Sequence, residues 1–301
     1  MPDKKSRVLI LGHGEMGQAM ELLLTHHSPR IWQRRPPTGA PLNLETLVPE
    51  SNVILFCLPA VAHAAVAAQI APYLRDTALC LTIAKGLDEH GRLPATVLTE
   101  TVGAARVAVL YGPMISEEIR AGKPSFADCG GAEAGIFERI ETLYRGTTLH
   151  LESSPDLIGL SWSAILKNVY AVAIGMADEL NLGDNTRGFL AVAALHELSG
   201  LVSKLGGAPA TPYRLAGLGD LITTATSTGS HHRELGRLIV RNSQNALNGE
   251  AVHTLSMLEQ FRPFDISNVP LLHLVATCVR EPHRAAQAMR EFIKTAGTIS
   301  A

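Results

Sequence analysis

The sequence predicts an α/β chain in two parts: a doubly wound parallel sheet over residues 1–154, then an all-helical domain over 155–301. Three observations predict it. Short apolar runs alternate with helix-period segments through the first half, as strands covered on both faces alternate with crossover helices. A glycine pattern, Gly12-His13-Gly14-Glu15-Met16-Gly17, stands between the first apolar run and the first helical segment. From about Pro155 helical periodicity dominates, and β-branched runs flanked by turns largely disappear. A chain of 301 residues accommodates two domains at ~100–200 residues apiece.

In chain order, strands are expected over 7–11, 30–32, 52–58, 78–84, 106–110 and 125–129. The run Val53-Ile54-Leu55-Phe56-Cys57-Leu58 has no polar face, which suits a strand buried on both sides. Helices are expected between them, over 15–25, 60–74 and 93–101. Ser153-Ser154-Pro155-Asp156 is a helix-start signal and marks the boundary. Beyond it, helices are expected over 158–180, 186–205, 231–244, 250–260 and 270–279, with a cleft between the two domains. The apolar window from Ile158 to Ala177 contains Lys167, Asn168 and several Ser and Gly. Lipid tolerates these poorly, so the window reads as a buried helix and no membrane attachment is expected.

Composition excludes several classes. The 26 Lys and Arg against 28 Asp and Glu leave a formal charge of −2, which argues against a basic surface for nucleic acid. Aromatic residues make up 5%, too few for a platform that stacks bases. An average charge does not exclude a small site for an anionic ligand. The polar start Met1-Pro2-Asp3-Lys4-Lys5-Ser6-Arg7 leads into no secretory pattern. Cys57, Cys80, Cys129 and Cys278 form no CxxC pair and have no zinc-ligand spacing. They read as buried thiols in a reducing, cytoplasmic setting, and no metal site is expected.

Four places carry chemistry. In the glycine pattern, Gly12 allows a tight turn, Gly14 lets the backbone approach a pyrophosphate and Gly17 lets helix and strand pack closely. The helix N-terminus adds N–H groups and partial positive charge. The second strand ends in Trp32-Gln33-Arg34-Arg35, without the carboxylate that would take a ribose 2′-hydroxyl. A guanidinium there stacks on adenine and forks onto a 2′-phosphate, which favours NADP(H) over NAD(H). The alternative is two solvated arginines. Lys167 interrupts an apolar helix, with Ser163, Ala164, Tyr170 and Ala171 three and four positions away. Burial there would lower its pKa and suit proton transfer near neutrality; the alternative is a snorkelling lysine. Asp220, in Gly217-Leu218-Gly219-Asp220, reads by itself as a helix cap, with Thr224 one turn on. Lys85 ends a strand, where open α/β sheets place ligand-binding groups.

Together these stretches resemble the bacterial NAD(P)-dependent sn-glycerol-3-phosphate dehydrogenases. The resemblance is carried by the glycine pattern, Ala84-Lys85-Gly86-Leu87, Gly112-Pro113 followed by Glu118, and Leu166-Lys167-Asn168-Val169. Gly183-Asp184-Asn185, Gly217-Leu218-Gly219-Asp220-Leu221 and Gly249-Glu250-Ala251 follow in the family's order, so that it spans residue 7 to about 275. It implies a Rossmann-type NAD(P)-binding domain joined to a helical substrate domain of the 6-phosphogluconate dehydrogenase type. It also implies reversible reduction of dihydroxyacetone phosphate to glycerol 3-phosphate. Lys167 would be the general acid/base, with Asp220 coupled to it. Lys85, Asn168, Thr224, His231, His232 and Arg233 would bind substrate. Gly12, His13, Gly14, Glu15, Met16, Gly17, Arg34, Arg35, Pro59, Lys85 and Glu250 would bind cofactor.

The chain departs from the family pattern at three places. Ser230-His231-His232-Arg233 stands where the family carries Ser-Arg-Asn-Arg. Met114-Ile115-Ser116 replaces Ser-Phe-Ala, and Ala193-Ala194-Leu195 replaces Thr-Arg-Gly. A histidine pair holds phosphate less firmly than a guanidinium at neutral pH. Two other readings therefore stay open. One is a reductase of another small carbonyl compound, like ketopantoate reductase or an opine dehydrogenase; the other is a non-catalytic NADP-binding sensor. Exposed Leu and Ala on a helical domain also suit a homodimer.

Overall fold

The computed structural model describes residues 6–40, 42–243 and 247–295. The chain divides into two compact units between Ser161 and Trp162. The division falls inside a helix, seven residues beyond the boundary placed at 154/155.

The first unit is a seven-stranded sheet: β1 (Val8–Leu11), β2 (Arg30–Trp32), β3 (Val53–Phe56), β4 (Leu79–Thr82), β5 (Val107–Tyr111), β6 (Ser125–Gly131) and β7 (Leu149–Ser154). Their order is β2-β1-β3-β4-β5-β6-β7. The chain leaves β1 toward one edge and resumes at β3 on its other side, so the topological switch lies between β1 and β3. The continuous apolar runs have the expected cause. Val8 and Ile10 face one buried cluster with Val53, Leu55, Leu79 and Leu81. Leu9 and Leu11 face the other, with Ile54, Phe56 and Cys80. Helices α1 (Glu15–Leu23), α2 (Leu44–Leu47), α3 (His63–Ile70), α4 (Pro94–Val102), α5 (Ser116–Arg120) and α6 (Ile136–Tyr144) connect the strands.

Two features correct the sequence expectation. The sheet is parallel except where β6 runs antiparallel to β5. The intervening α5 has five residues, roughly 7.5 Å of helix, too short to carry the chain back along a strand of ~16 Å. The chain therefore reverses, and β7 then pairs parallel to β6. Strand β7 itself was not expected. It is an edge strand of sequence LHLESS, polar at four of its six positions and exposed at three, and so offers no apolar run.

The second unit is helical: α7 (Leu157–Glu179), α8 (Gly183–Lys204), α9 (Asp220–Thr226), α10 (His231–Val240), α11 (Glu250–Phe261), α12 (Pro270–Arg280) and α13 (Ala285–Lys294). Asp156 Oδ1 accepts from Gly159 N at 2.8 Å and caps α7. By length and composition α7 could cross a membrane, but 89% of its most apolar window is buried inside the protein. It is the core helix of the unit. Helix α10 ends at Val240, short of the expected 244, and residue 244 lies outside the described residues. Helix α13 was not expected, and α9 was expected only through its start at Asp220, with no end assigned.

Cys80, Cys129 and Cys278 are buried and Cys57 is half-buried; all four are free thiols. Burial pushes the thiols of Cys80, Cys129 and Cys278 up to about 12, and that of Cys57 higher still.

Candidate functional site

In the sheet unit, the expected cofactor residues collect at the carboxyl ends of β1, β2, β3 and β4. Gly12 follows β1 with φ +94°, and its N–H donates to Trp32 O at 2.8 Å, tying the turn to the end of β2. A Cβ on Gly12 would lie 2.4 Å from Cys57 O, and one on Gly17 would lie 2.3 Å from Gly12 O. Only glycine fits either place. At Gly14, by contrast, a Cβ meets nothing within 4 Å. Gly14 is the N-cap of α1, and among the described residues no side chain caps that terminus. A close-packed turn thus opens onto clear space in front of a helix N-terminus, which fits a pyrophosphate.

The other residues of this turn serve different ends. His13 Nε2 lies 2.6 Å from Glu21 Oε2. Glu15 is exposed in the first turn of α1, and Ser116 Oγ donates to it at 3.5 Å. Met16 packs against the sheet core. Arg34 and Arg35 are exposed just past β2, and neither has an ion-pair partner among the described residues. Pro59 is exposed after β3, and its carbonyl accepts from His63. Lys85, three residues past β4, is half-buried and donates from Nζ to Gly112 O at 3.2 Å.

In the helical unit, Lys167 is buried at mid-length in α7, 4% exposed among side chains with almost no exposure. Its Nζ lies 3.0 Å from Asp220 Oδ2 and donates to Thr224 Oγ1 at 2.7 Å. Both partners come from one turn of α9, and Thr224 Oγ1 donates in turn to Asp220 O at 2.7 Å. The i, i+4 spacing places the carboxylate and the hydroxyl on one face, opposite the lysine. Burial disfavours the ammonium while the carboxylate favours it, so its charge rests on the pair. Asp220 is therefore no helix cap. Gly219 holds the N-cap position, and the Asp220 carboxylate turns to Lys167 instead. A π-helical turn over Leu215–Gly219 leads into α9, with Gly219 N donating to Arg214 O at 3.1 Å.

Asn168 is buried beside Lys167, and among the described residues its Oδ1 has no hydrogen-bond partner; the buried Ser163 Oγ, earlier in the helix, has none among them either. Unpaired buried polar atoms are costly, so each calls for a partner that a water or a ligand would supply.

His231 and His232 open α10, whose N-terminus Ser230 Oγ caps by accepting from Arg233 N. His231 is exposed and His232 half-buried. Arg233 turns inward and is held in place. Its Nε donates to Asp178 Oδ2 at 3.0 Å and its Nη1 to Ser227 O at 2.9 Å. Arg187 and Arg237 reach the same carboxylate, at 2.8 and 3.6 Å. Hydrogen bonds from Arg187 and Arg233 hold the Asp178 carboxyl below its usual range, against the opposing effect of burial. The sequence reading missed Asp178, although Arg233 and Arg237 at i, i+4 on one face signal such an acceptor. Glu250 is exposed and begins α11.

Comparisons with known proteins agree over most of the chain. A family model described as the C-terminus of NAD-dependent glycerol-3-phosphate dehydrogenase matches residues 156–290. The corresponding N-terminal model matches residues 38–130. The glycerol-3-phosphate dehydrogenase [NAD(P)+] of Deinococcus radiodurans is 32% identical, over 96% of this chain and 95% of its own. That of Moorella thermoacetica is 33% identical over 78% of each. The crystal structure of glycerol-3-phosphate dehydrogenase from Coxiella burnetii superposes with a TM-score of 0.84 at 25% identity, covering 96% of this chain and 99% of that one.

Proposed function

The chain belongs to the NAD-dependent glycerol-3-phosphate dehydrogenase family, and from that premise we propose that it interconverts dihydroxyacetone phosphate and sn-glycerol 3-phosphate, with NADP(H) preferred to NAD(H). The observation that carries the reading is the buried Lys167, held by Asp220 and Thr224. A lysine this deeply buried has little solvation role, and a proton donor for a carbonyl oxygen needs such a fixed, water-poor setting.

When bound, the nicotinamide supplies the hydride to the carbonyl carbon or accepts it back. The residues of this chain do the rest. Gly12, Gly14, Gly17 and the N–H groups of α1 hold the pyrophosphate. Arg34 and Arg35 take a 2′-phosphate, and no carboxylate stands between them and Trp32 to repel it. Lys167 holds the proton at the carbonyl oxygen and donates it as negative charge develops there. Asp220 keeps that lysine charged until transfer, and Thr224 fixes the direction of Nζ. The unpaired Oδ1 of Asn168 accepts from a substrate hydroxyl. Lys85 carries positive charge to the substrate, and His231 and His232 at the N-terminus of α10 meet its phosphate. Arg233 supports them through Asp178 rather than by contact. The protein acts in the cytoplasm as a homodimer in this reading, with exposed Val192, Tyr213 and Ile222 as apolar surface available for pairing.

The test is a panel of small carbonyl compounds assayed with NADPH and with NADH. Dihydroxyacetone phosphate should be turned over, faster with NADPH. Lys167→Met should lower kcat by about 10²–10⁴-fold with NADPH affinity intact. Replacing Arg34 and Arg35 together with Ala should weaken NADPH much more than NADH; equal weakening would exclude a 2′-phosphate role. One observation favours a second reading. His231 and His232 in place of Arg and Asn suit a substrate with weaker phosphate demands, and turnover of unphosphorylated carbonyl compounds alone would establish it.

A further inference from the structure

Ala84 lies two residues past the end of β4, where the ladders with β3 and β5 have ended. Its peptide groups are nevertheless held from two sides. Its N–H donates to Thr82 Oγ1 at 3.2 Å, and its carbonyl accepts from the Tyr111 hydroxyl at 2.9 Å. Thr82 and Tyr111 have no exposure and are the last residues of β4 and β5, where each breaks an apolar run with a hydroxyl. Behind Thr82 lies His63, also fully buried and stacked on Phe56 with ring centroids 5.1 Å apart. Its Nε2 is 2.9 Å from Thr82 Oγ1, and its Nδ1 is 3.1 Å from Pro59 O.

The hydrogens follow from this inventory. A carbonyl only accepts, so His63 Nδ1 carries the ring hydrogen toward Pro59. In the neutral ring Nε2 then accepts, and takes the hydroxyl hydrogen of Thr82. That leaves the Thr82 oxygen to accept from Ala84. Burial keeps the ring neutral by lowering His63 to about 4. Donors and acceptors therefore alternate without conflict from the Pro59 carbonyl to the Ala84 amide. The strand that ends in Tyr111 also leads to Gly112, whose carbonyl accepts from Lys85 Nζ. A solvated surface lysine needs no such support. Two buried hydroxyls, one backed by a buried imidazole, hold the two peptides in front of this one.

We propose that His63, Thr82 and Tyr111 are positioning residues that clamp the two peptides flanking Ala84, Thr82 through the N–H of Ile83–Ala84 and Tyr111 through the carbonyl of Ala84–Lys85, and so aim the Lys85 ammonium at the anionic group of the substrate. This rests on the reading of Lys85 as a substrate-binding lysine. Through Pro59, the clamp also ties that lysine to the turn after β3, beside the glycine turn.

Kinetics with dihydroxyacetone phosphate and NADPH test it in Tyr111→Phe, Thr82→Val, Thr82→Ser, Lys85→Ala and the double variant Tyr111→Phe/Lys85→Ala. NADPH titration and thermal melts accompany them. Tyr111→Phe and Thr82→Val should each raise KM for the substrate about tenfold, with kcat and the NADPH Kd nearly unchanged. Thr82→Ser keeps the hydroxyl and should restore the parental KM. Tyr111→Phe should add nothing to KM once Lys85 is gone. If Thr82→Val fails to fold, Tyr111→Phe, which removes one oxygen, decides alone. An unchanged KM in folded Tyr111→Phe, or the same increase in the Lys85→Ala background, overturns the clamp. If Lys85→Ala raises KM while the clamp variants do not, the clamp fails and the lysine's role stands. If Lys85→Ala leaves KM unchanged, or the parent does not turn over dihydroxyacetone phosphate, the underlying reading fails.

Discussion

Thr224 has one hydroxyl hydrogen and gives it to the Asp220 carbonyl, so toward Lys167 its oxygen can only accept. Asp220 is then the charge that balances the buried ammonium. Asp220→Ala should cost about 3–5 kcal/mol in denaturant unfolding, because it strands an unpaired charge. The double variant Asp220→Ala/Lys167→Met should regain a large part of that loss; additive losses would show that the pair is not energetically linked. His63 gives a prediction in pH. Its value falls from 6.5 to about 4 on burial, so between those values the unfolded chain binds the extra proton. Stability from this group is thus present above about 6.5 and is lost as pH falls toward 4, by about 3 kcal/mol. Urea midpoints across this range should lose that slope in His63→Leu, and a retained slope would refute it. Lys167 was legible in the sequence because a charge in an apolar helix contradicts its surroundings. His63 and Asp178 were not legible, because their partners lie on other elements and share no spacing with them.

At the level of elements, α7 and α10 cross by direct backbone contact. A Cβ on Gly175 would sit 2.0 Å from Arg233 O, and one on Gly236 would sit 2.1 Å from Val172 O. Each helix contributes its glycine where the other's carbonyl approaches. This closeness lets Asp178, three residues on from Gly175, reach the Arg233 guanidinium, and it fixes the start of α10 with its two histidines. Gly175→Ala should therefore destabilise by about 1–3 kcal/mol and raise the substrate KM, as read by denaturant melts and kinetics. An unchanged melt would show that the crossing gives way freely. Long elements with one clear period were legible: α7, α8 and α12 lie within a few residues of expectation. Short ones were not. Helix α2 has four residues and α5 five, too few for a periodic pattern to build up.

For the whole molecule, continuous apolar runs were enough to foretell a sheet buried on both faces, and the glycine turn located its first crossover. The reversal at β6 was not visible, because strand direction depends on how far a connection reaches and not on which residues the strand holds. The division inside α7 was hidden for a similar reason. Ser153-Ser154-Pro155-Asp156 announces where the helix starts, and the sheet unit includes its first turn. Leu160 lies over Gly130, where an added Cβ would come 2.7 Å from Leu160 Cδ1, and Ser161 reaches the Tyr111 phenol. The first turn of α7 is thus a lid on β5 and β6, and it governs how the gene can be dissected. A fragment ending at 154 would expose the apolar groove under Leu160, bind a hydrophobic dye and aggregate, whereas one ending at 161 should stay soluble. Equal behaviour of the two fragments would show that the lid is dispensable. For the same reason, a protease should find no severable loop at this division, and a fusion or permutation placed there would cut through a continuous helical ladder.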